Sequence, residues 1–384
     1  MLATGVTACG VTKYLPENSY MLNRNKVKAD KDAPREERIS STQLEKYIPQ
    51  RETKKFLGTN LPAWLYLQGG PDSLAGKGNL LKSIGSEPAI LDSTLTEIGA
   101  RNLKLYMNSR GFYESWSDYS VKYNEKRKKA TVTYRVKQGE PFRIRNISYD
   151  FRDSFVEQVI REDSTRTLLK KGNIFDTNIL KDERQRIADK LHNSGYFNFS
   201  ISNISFKADT TVGDHLADIT MVVRQHLAGY DDGGNPILEN NSIYSIRNIY
   251  VLPNYDPVRA AGDSGYARDM DTTEYRGLKI LTEPGARNNI RPQTLRRAIN
   301  LYPDYLYSYE LVQRTYDDIL QLSYYKNARI LFDEAPADDT GLVTYVGGEE
   351  EAGEAIHTSE KQLNCTIYCT PALRQGYTLA LIHI

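Results

Sequence analysis

The side chains that could carry out chemistry in this chain of 384 residues are few and scattered. None of its five histidines stands at a metal-binding spacing with a nearby carboxylate. The sequence also lacks a Gly-x-Ser-x-Gly turn or a Cys–His arrangement that would activate a nucleophile. It therefore offers no catalytic residue, and we expect no enzyme, no metal site and no cofactor.

Two loops resemble known ligand-binding motifs, but each departs from its motif at a required position. Residues 70–77 have the composition of a phosphate loop, but the glycines are one residue too far apart and Gly78 replaces the magnesium-binding Ser or Thr. Residues 231–235 carry carboxylates suited to calcium, but the later bidentate glutamate of an EF-hand is missing. Both segments are predicted to be solvated loops.

The three cysteines do not form a disulfide framework, because they are too few and too far apart. Cys365 and Cys369 are predicted to be buried thiols in or beside a strand. Cys9 ends a short run of small and apolar residues, as the lipidated cysteine of a bacterial lipoprotein does. No basic residue precedes it, and the run before it is too short for a signal peptide. Either the true start lies upstream or Cys9 is incidental.

The composition argues against two classes of protein, those that bind nucleic acid and those with membrane-spanning helices, and it favours β structure. Lys and Arg number 50 and Asp and Glu 49, so the formal net charge of +1 argues against nucleic-acid binding. No apolar run approaches the length of roughly 18 residues that a membrane-spanning helix needs. The 27 tyrosines favour half-buried strand surfaces and interfaces, where one end of the ring is apolar and the other wet.

The elements that would position any site recur along the chain. A helical apolar pattern occurs twice, and each copy ends in glycine and two aromatic residues, at 111–113 and 195–197. Gly111 and Gly195 are predicted to adopt a left-handed conformation that stops the helix. A third, weaker copy has Ser323 in the glycine position.

Strands complete the repeat. Residues 142–147 and 244–249 share the pattern aromatic-x-Ile-Arg-Asn-Ile, with a slip in the in-out alternation that indicates a bulge or bend. Alternating apolar residues predict two further strands after each glycine, the first of them at 116–123 and at 197–206. The repeating unit is therefore strand, helix, glycine-capped helix, strand, strand.

This unit resembles the POTRA domain, β-α-α-β-β, of the BamA/TamA family of outer-membrane assembly proteins. The residues that carry the resemblance are the two glycine–aromatic corners, Gly-Glu-Pro-Phe at 139–142 and the opening residues 9–16. That opening is similar to the TamA-like lipoproteins of Bacteroidetes, which implies that Cys9 is lipidated in the native precursor. The resemblance covers most of residues 9–384.

The predicted fold class is α+β, with about three tandem POTRA-like β-α-α-β-β domains, loop insertions, and a C-terminal barrel that is absent or truncated. The expected divisions are a residual lipoprotein signal and linker at 1–18, domain 1 at 19–138 with an insertion near 58–91, domain 2 at 139–226, domain 3 at 242–372, and a possible first barrel strand at 373–384. Residues 228–241, 254–273 and 341–359 are predicted to be solvated loops.

A row of such domains presents strand edges, to which an extended peptide can add through main-chain hydrogen bonds. The resemblance implies that periplasmic POTRA repeats guide precursors of outer-membrane proteins, and that the second strand is the open edge. The candidate residues at these edges are Trp116, Tyr119, Val121 and Tyr123, and in the next repeat Phe197, Phe199 and Ile201.

The resulting expectation is the periplasmic part of an assembly factor at the outer membrane of a Gram-negative bacterium. Its expected partners are unfolded outer-membrane protein precursors, other envelope assembly proteins and the membrane itself, and not nucleic acid. Two alternatives stay open: a lipid-anchored scaffold that binds a separate barrel or complex without handling clients, and an enzyme with an unrecognised site. The basic run 126–129 is predicted to be a solvated hairpin turn, with contact to anionic lipid head groups or an acidic partner as its rival.

Overall fold

The computed structural model describes residues 15–30, 33–69, 77–262, 266, 270–285, 290–336 and 360–372. The predicted lipidation site Cys9, the loops at 70–76 and 341–359 and the C-terminal segment 373–384 lie outside these residues. Among the described residues, no helix has both the length and the apolar character needed to cross a membrane. The chain forms two compact units, the first made of Met1–Ile147, Leu169–Leu180 and Ala208–Ile219, the second of Ser148–Leu168, Lys181–Lys207 and Thr220–Ile384.

In the described part of the chain, the first sheet consists of β1 (Met21–Ala29), β2 (Trp116–Asn124) and β3 (Lys129–Lys137), in the order β1-β3-β2. Strand β3 is parallel to β1 and antiparallel to β2. The helices between β1 and β2 are α1 (Ser41–Glu45), α2 (Leu61–Gln68), α3 (Lys77–Ile84) and α4 (Ser93–Ser109). The described part of the insertion expected near 58–91 therefore contains the helices α2 and α3.

Helix α4 packs its buried face on the first sheet. Asp92 caps its N-terminus by accepting hydrogen bonds from the Thr94 and Leu95 N–H groups at 2.8 and 3.1 Å. Leu103 and Met107 are buried in the same apolar cluster as the β3 residues. Gly99 faces the sheet as well, because a Cβ built on it would lie 2.8 Å from the Tyr134 hydroxyl oxygen.

We predict that Gly99→Ala destabilises the fold, although alanine in place of glycine inside a helix ordinarily stabilises by about 1 kcal/mol. The new methyl group would press on Tyr134, which is 1% exposed, and overpacking of this kind costs about 1–3 kcal/mol. Tyr134→Phe removes the closest atom, so the two changes together should cost less than the sum of the single variants. Denaturant midpoints of the four proteins measure this coupling, and strictly additive costs would contradict it.

The second sheet repeats the order of the first. Its elements are β4 (Arg143–Phe151), α5 (Ser154–Glu162), α6 (Thr177–His192), β5 (Ile204–Asp209) and β6 (Leu216–Val223). The strand order is β4-β6-β5, so the second strand of the repeat again lies at an edge.

A hairpin of two short strands, β7 (His226–Tyr230) and β8 (Pro236–Glu239), separates the second repeat from the third. It occupies most of residues 228–241, for which the sequence predicted a loop. The prediction was wrong because the strands are short, and Gly, Asp and Asn residues dominate the composition of the segment between and around them.

The third repeat is enlarged by an insertion that joins its sheet. Its elements are β9 (Ile243–Leu252), α7 (Pro257–Gly262), β10 (Asp271–Tyr275), β11 (Leu278–Thr282), α8 (Pro292–Ala298), α9 (Tyr309–Gln321), β12 (Tyr325–Glu334) and β13 (Glu360–Pro371). The order is β10-β11-β9-β13-β12, with β11 parallel to β9. The predicted loop at 254–273 thus includes helix α7 and the beginning of β10, which belongs to the added hairpin.

Strand β9 contains the bulge that the slipped alternation indicated. Ile246 pairs with Leu363, whereas Asn248 pairs with the very next residue, Asn364, so Arg247 is the extra residue. The two cysteines of β13 are free and buried, as predicted. Burial raises the pKa of Cys369 to about 12, so this thiol stays protonated and is unreactive at neutral pH.

Candidate functional site

The outer side of β2 has no strand paired to it in the described part of the chain. A hydrogen bond from the β1 side to Val136 fixes the direction of the backbone groups in β3, and a second one is accepted by the residue before β3. The Met21 N–H donates to the Lys128 carbonyl, and the Asp30 N–H donates to the Val136 carbonyl, each at 2.9 Å. Because alternate residues of a strand bond to opposite neighbours, the even-numbered residues of β3 face β1 and the odd-numbered ones face β2.

The register then assigns the backbone groups of β2. Ser120 lies opposite Thr133 and Lys122 opposite Thr131, so the N–H groups of Ser120 and Lys122 point into the sheet. The N–H groups of the residues between them point away from the sheet, toward the open side. The outward N–H groups along the strand belong to Ser117, Tyr119, Val121 and Tyr123.

The same residues turn their side chains toward the helix-covered face. Tyr119 and Val121 pack against the buried cluster under α4, and the Tyr123 ring lies 4.7 Å from the Tyr20 ring, measured between centroids. On the opposite face, Trp116 is 48% exposed. A strand added to β2 would thus meet tyrosine rings on one face and Trp116 on the other, while its main chain paired with the free N–H and C=O groups.

The second predicted edge is displaced. Phe197, Phe199 and Ile201 were expected in a strand at 197–206, but β5 begins only at Ile204. Phe197 and Phe199 lie in a turn, and Ile201 begins a 3₁₀ helix that ends at Asn203. Strand β5 is at the edge of its sheet, but these three residues are not part of it.

The aromatic residues 197 and 199 pack against other parts of the protein. Their apolar–polar alternation therefore resembles that of a half-buried strand. Phe199 is buried, and its carbonyl lies 2.8 Å from Nε2 of His192 at the end of α6. Phe197 contacts rings of the third repeat, with its centroid 4.9 Å from that of Tyr307. Phe197 therefore belongs to the contact between the second and third repeats, which we call the second junction, and Phe199 belongs to the core of the second repeat.

Gly111 and Gly195 occupy equivalent places in two such junctions. Both have positive φ, +90° and +99°. Each carbonyl accepts a hydrogen bond at 2.8 Å from the next repeat, from the N–H of Phe142, directly before β4, and from the N–H of Tyr244 in β9. Ser323, in the third copy, also has positive φ, at +53°. Glycine is favoured at the first two positions because the chain must turn sharply and pass close to its neighbours.

Three aromatic residues surround each junction. In the first, the Tyr113 centroid is 5.2 Å from that of Phe142 and 6.0 Å from that of Phe175. In the second, the Phe197 centroid is 5.6 Å from that of Tyr244 and 4.9 Å from that of Tyr307. Backbone bonds repeat too, since Phe175 donates to Phe142 at 2.8 Å and Tyr307 to Tyr244 at 2.9 Å. The sequence pattern identifies the first aromatic residue of each set, after Gly111 and Gly195, but does not pair it with the other two.

A histidine adds a pH-sensitive contact to the first junction. His215 Nε2 lies 3.0 Å from a Glu114 carboxylate oxygen, and Nδ1 lies 3.4 Å from one of Glu140. Its ring packs on Phe142, with 5.3 Å between centroids. The hydrogen bond with Glu114 raises the pKa of His215 above its usual value.

We predict that this contact stabilises the fold below about pH 6.5, where the unfolded histidine is also protonated, and is lost as pH rises through the higher folded pKa. Because His215 has a φ of +54°, His215→Asn is the suitable variant, since asparagine tolerates that conformation. Melting temperatures at about pH 6 and about pH 8 should differ more for the parent than for the variant. An equal pH dependence in both proteins would contradict the role of His215.

The remaining candidates have structural partners. The Asp231 carboxylate accepts hydrogen bonds from the Gly233 and Asn235 N–H groups at 2.9 and 2.8 Å, which closes the β7–β8 turn. Among the residues with described coordinates, no group of three or more His, Cys, Asp or Glu side chains could hold a metal ion.

Comparison with known proteins gives a domain match and several distant folds. Residues 143–225 match the family model described as "POTRA: Surface antigen variable number repeat". No curated protein matches the chain. Among solved structures, POTRA3-5 of BamA from Haemophilus influenzae is 13% identical, with 93% of this chain and 99% of that chain covered and a TM-score of 0.38.

Two cyanobacterial structures overlap in a similar way. POTRA1-3 of Omp85 from Anabaena is 10% identical, with 94% and 98% of the two chains covered and a TM-score of 0.25. The N-terminal domain of Omp85 from Thermosynechococcus elongatus is 9% identical, with 93% and 100% covered and a TM-score of 0.22. Scores this low do not establish a shared arrangement of domains. The model match and the recurring β-α-α-β-β order identify residues 143–225 as a POTRA domain in an α+β chain of tandem POTRA-like domains.

Proposed function

We propose that this chain is a periplasmic region of an outer-membrane protein assembly factor, and that it holds unfolded client strands by β-augmentation. The observation that carries the proposal is the free edge of β2, whose outward N–H groups at Tyr119 and Val121 have no strand paired to them among the residues that the structure describes. Main-chain pairing is tolerant of sequence, because the backbone supplies most of the bonds. This tolerance suits a protein that handles many different precursors.

The chemistry of the edge favours clients with alternating apolar and polar residues. An added strand would place every second side chain beside Tyr119 and Tyr123, and the others beside Trp116 and Lys122. Strands that will form an outer-membrane protein have this alternation, with one face for lipid and one for the interior. Edge strands β5 and β12 offer further places for clients or for partner proteins.

The division into domains at 19–138, 139–226 and 242–372 is part of the proposal, as are the location on the periplasmic side of the outer membrane and a lipid anchor at Cys9. In a precursor with an upstream signal sequence, labelled fatty acid should be incorporated, and Cys9→Ser should abolish the label and release the protein from membranes. Unchanged labelling of the Ser variant would exclude the anchor.

Site-specific photocrosslinking in cells tests client handling. A crosslinkable residue at Ser120 would stand on the exposed side of the edge strand, and the matched control at Thr133 lies directly opposite it on the central strand. We expect a diverse set of newly made outer-membrane proteins captured from position 120 and far fewer from position 133. Capture of one fixed partner from position 120 would support the lipid-anchored scaffold instead, and equal capture from both positions would argue against the edge.

A further inference from the structure

A tight turn at the start of the insertion between β1 and α2 presents two large apolar side chains to solvent. The Phe56 N–H donates to the Thr59 carbonyl at 3.0 Å, and the Thr59 N–H and hydroxyl donate back to the Phe56 carbonyl at 2.9 and 2.7 Å. Leu57 and Gly58, at the tip, have φ of +48° and +73°. Phe56 is 56% exposed and Leu57 is 87% exposed.

Leucine is a poor choice for this position on two grounds. Left-handed backbone disfavours residues other than glycine, asparagine and aspartate, and an apolar side chain at the end of a protruding turn gains nothing from the fold. The turn is held by its own hydrogen bonds, so the exposed side chains are presented on a fixed support. A strained position with an exposed apolar side chain indicates that this side chain contacts another molecule.

Basic residues collect beside this turn from two separate segments. Lys54 and Lys55 precede it directly, and Nζ of Lys55 donates to the Asn23 carbonyl of β1 at 2.7 Å. The basic hairpin turn at 126–129 is tied to the same end of β1, where the Met21 N–H donates to the Lys128 carbonyl at 2.9 Å. The two segments therefore meet at the start of one strand.

The positive charges of Lys55, Arg127 and Lys129 are close enough to repel one another. Burial, followed by the charges of Arg127 and Lys55, lowers the pKa of Lys129. Like charges held this close repel, and a negatively charged surface would relieve the repulsion. The hairpin turn, for which the sequence left open a solvated loop or a lipid contact, thus lies beside Lys55, the residue that precedes the apolar turn.

We propose that this basic–apolar corner, made of residues 54–58 and 126–129, binds the surface of an anionic lipid bilayer. Phe56 and Leu57 would enter the boundary between head groups and acyl chains, and the side chains of Lys126, Arg127 and Lys128 would face lipid phosphates. Trp64, 40% exposed one turn into the helix that follows, suits the same interface because its ring is apolar with a polar edge. A free phosphate could bind the cations but would give no role to Phe56 and Leu57.

The charge of the corner favours a membrane, as a comparison within the chain illustrates. The β7–β8 hairpin also exposes large apolar side chains, Leu227 at 46% and Leu238 at 54%, which pair across the two strands. Its charged residues, however, are acidic at 231, 232 and 239, and an anionic surface would repel them. The hairpin therefore provides the matched control.

Cosedimentation with vesicles tests the proposal, with phosphatidylcholine alone or with about one third of it replaced by phosphatidylglycerol. We expect the parent protein to bind the anionic vesicles, and Leu57→Asn to weaken binding by roughly tenfold or more through loss of a buried leucine side chain. Asparagine accepts positive φ, so this variant should fold at least as well as the parent. Lys126→Gln combined with Lys128→Gln should weaken binding by roughly fivefold for each charge removed.

Leu227→Ser is the control and should bind as the parent does. Equal binding of Leu57→Asn and the parent, or equal binding to the two kinds of vesicle, would overturn the proposal. Loss of binding on addition of inorganic phosphate at constant ionic strength would identify a phosphate site in place of a membrane contact. These results do not depend on client binding at β2, so the two proposals can fail separately.

Discussion

Gly111→Ala is expected to destabilise the fold by about 2–5 kcal/mol, the sum of an unfavourable backbone conformation and a steric clash. A Cβ at this position would lie 2.7 Å from Cγ2 of Ile174 and 2.8 Å from the Phe175 carbonyl oxygen. The carbonyl belongs to the backbone that closes the first junction, so it cannot move without breaking the bond from Phe175 to Phe142. Denaturant unfolding followed by circular dichroism measures the loss.

Substitutions at two other glycines distinguish the cost of the backbone conformation from the cost of the steric clash. Gly172 has φ of +84° but open space around its Cβ position, so Gly172→Ala should show only the backbone cost of about 1–2 kcal/mol. Gly195→Ala should fall between the two, because its closest contact, at 2.8 Å, is the side-chain Cγ2 of Ile243 and not a backbone atom. Equal losses at 111 and 172 would mean that the junction yields easily and that the close approach is unimportant.

Val121→Pro is expected to reduce the affinity of the chain for an unfolded outer-membrane-protein peptide by tenfold or more, since it removes an outward donor and places a ring at the edge. The N–H of Val121 points away from β3, so the pairing of β2 with β3 should survive the change. Binding is measured with the purified chain and a labelled peptide, after circular dichroism has verified the fold.

Val121→Ala is the matched control, because it removes most of the same side chain but keeps the N–H. It should bind the peptide as the parent does. Ser120→Pro would be uninformative for binding, since the Ser120 N–H points toward Thr133 and its loss should damage the sheet itself. If Val121→Pro is folded and binds as well as Val121→Ala, then strand addition at β2 is wrong.

The order of the repeat could be predicted from the sequence because its signals are local. A glycine that ends a helix leaves its mark within a few residues, at Gly111 and at Gly195, and so do the strands with the shared pattern at 142–147 and 244–249. Cys365 and Cys369 were likewise predicted to be buried, because a free cysteine outside a disulfide framework behaves as a small hydrophobic residue.

The errors arose where distant residues decide the outcome. Apolar and polar residues alternate over 197–201 as in a strand. The Phe197 ring, however, packs against Tyr244 and Tyr307 at the second junction, and β5 starts only at Ile204. Strands β10 and β11 form because β11 can pair with the edge of β9. This pairing cannot be predicted from the residues of β10 and β11 alone. The direction of the β2 N–H groups depends on the register with β3 and on the bonds from β1, so sequence alone could not choose between Ser120 and Val121 for the proline test.

Amide hydrogen exchange along β2, with and without bound peptide, tests the central claim most directly. In the free chain, the N–H groups of Ser120 and Lys122 should exchange slowly because they are paired with β3, while those of Tyr119 and Val121 should exchange fast. Saturating peptide should slow exchange at Tyr119 and Val121 strongly and change Ser120 and Lys122 little. Bound peptide that leaves Tyr119 and Val121 as fast as in the free chain would contradict strand addition at this edge.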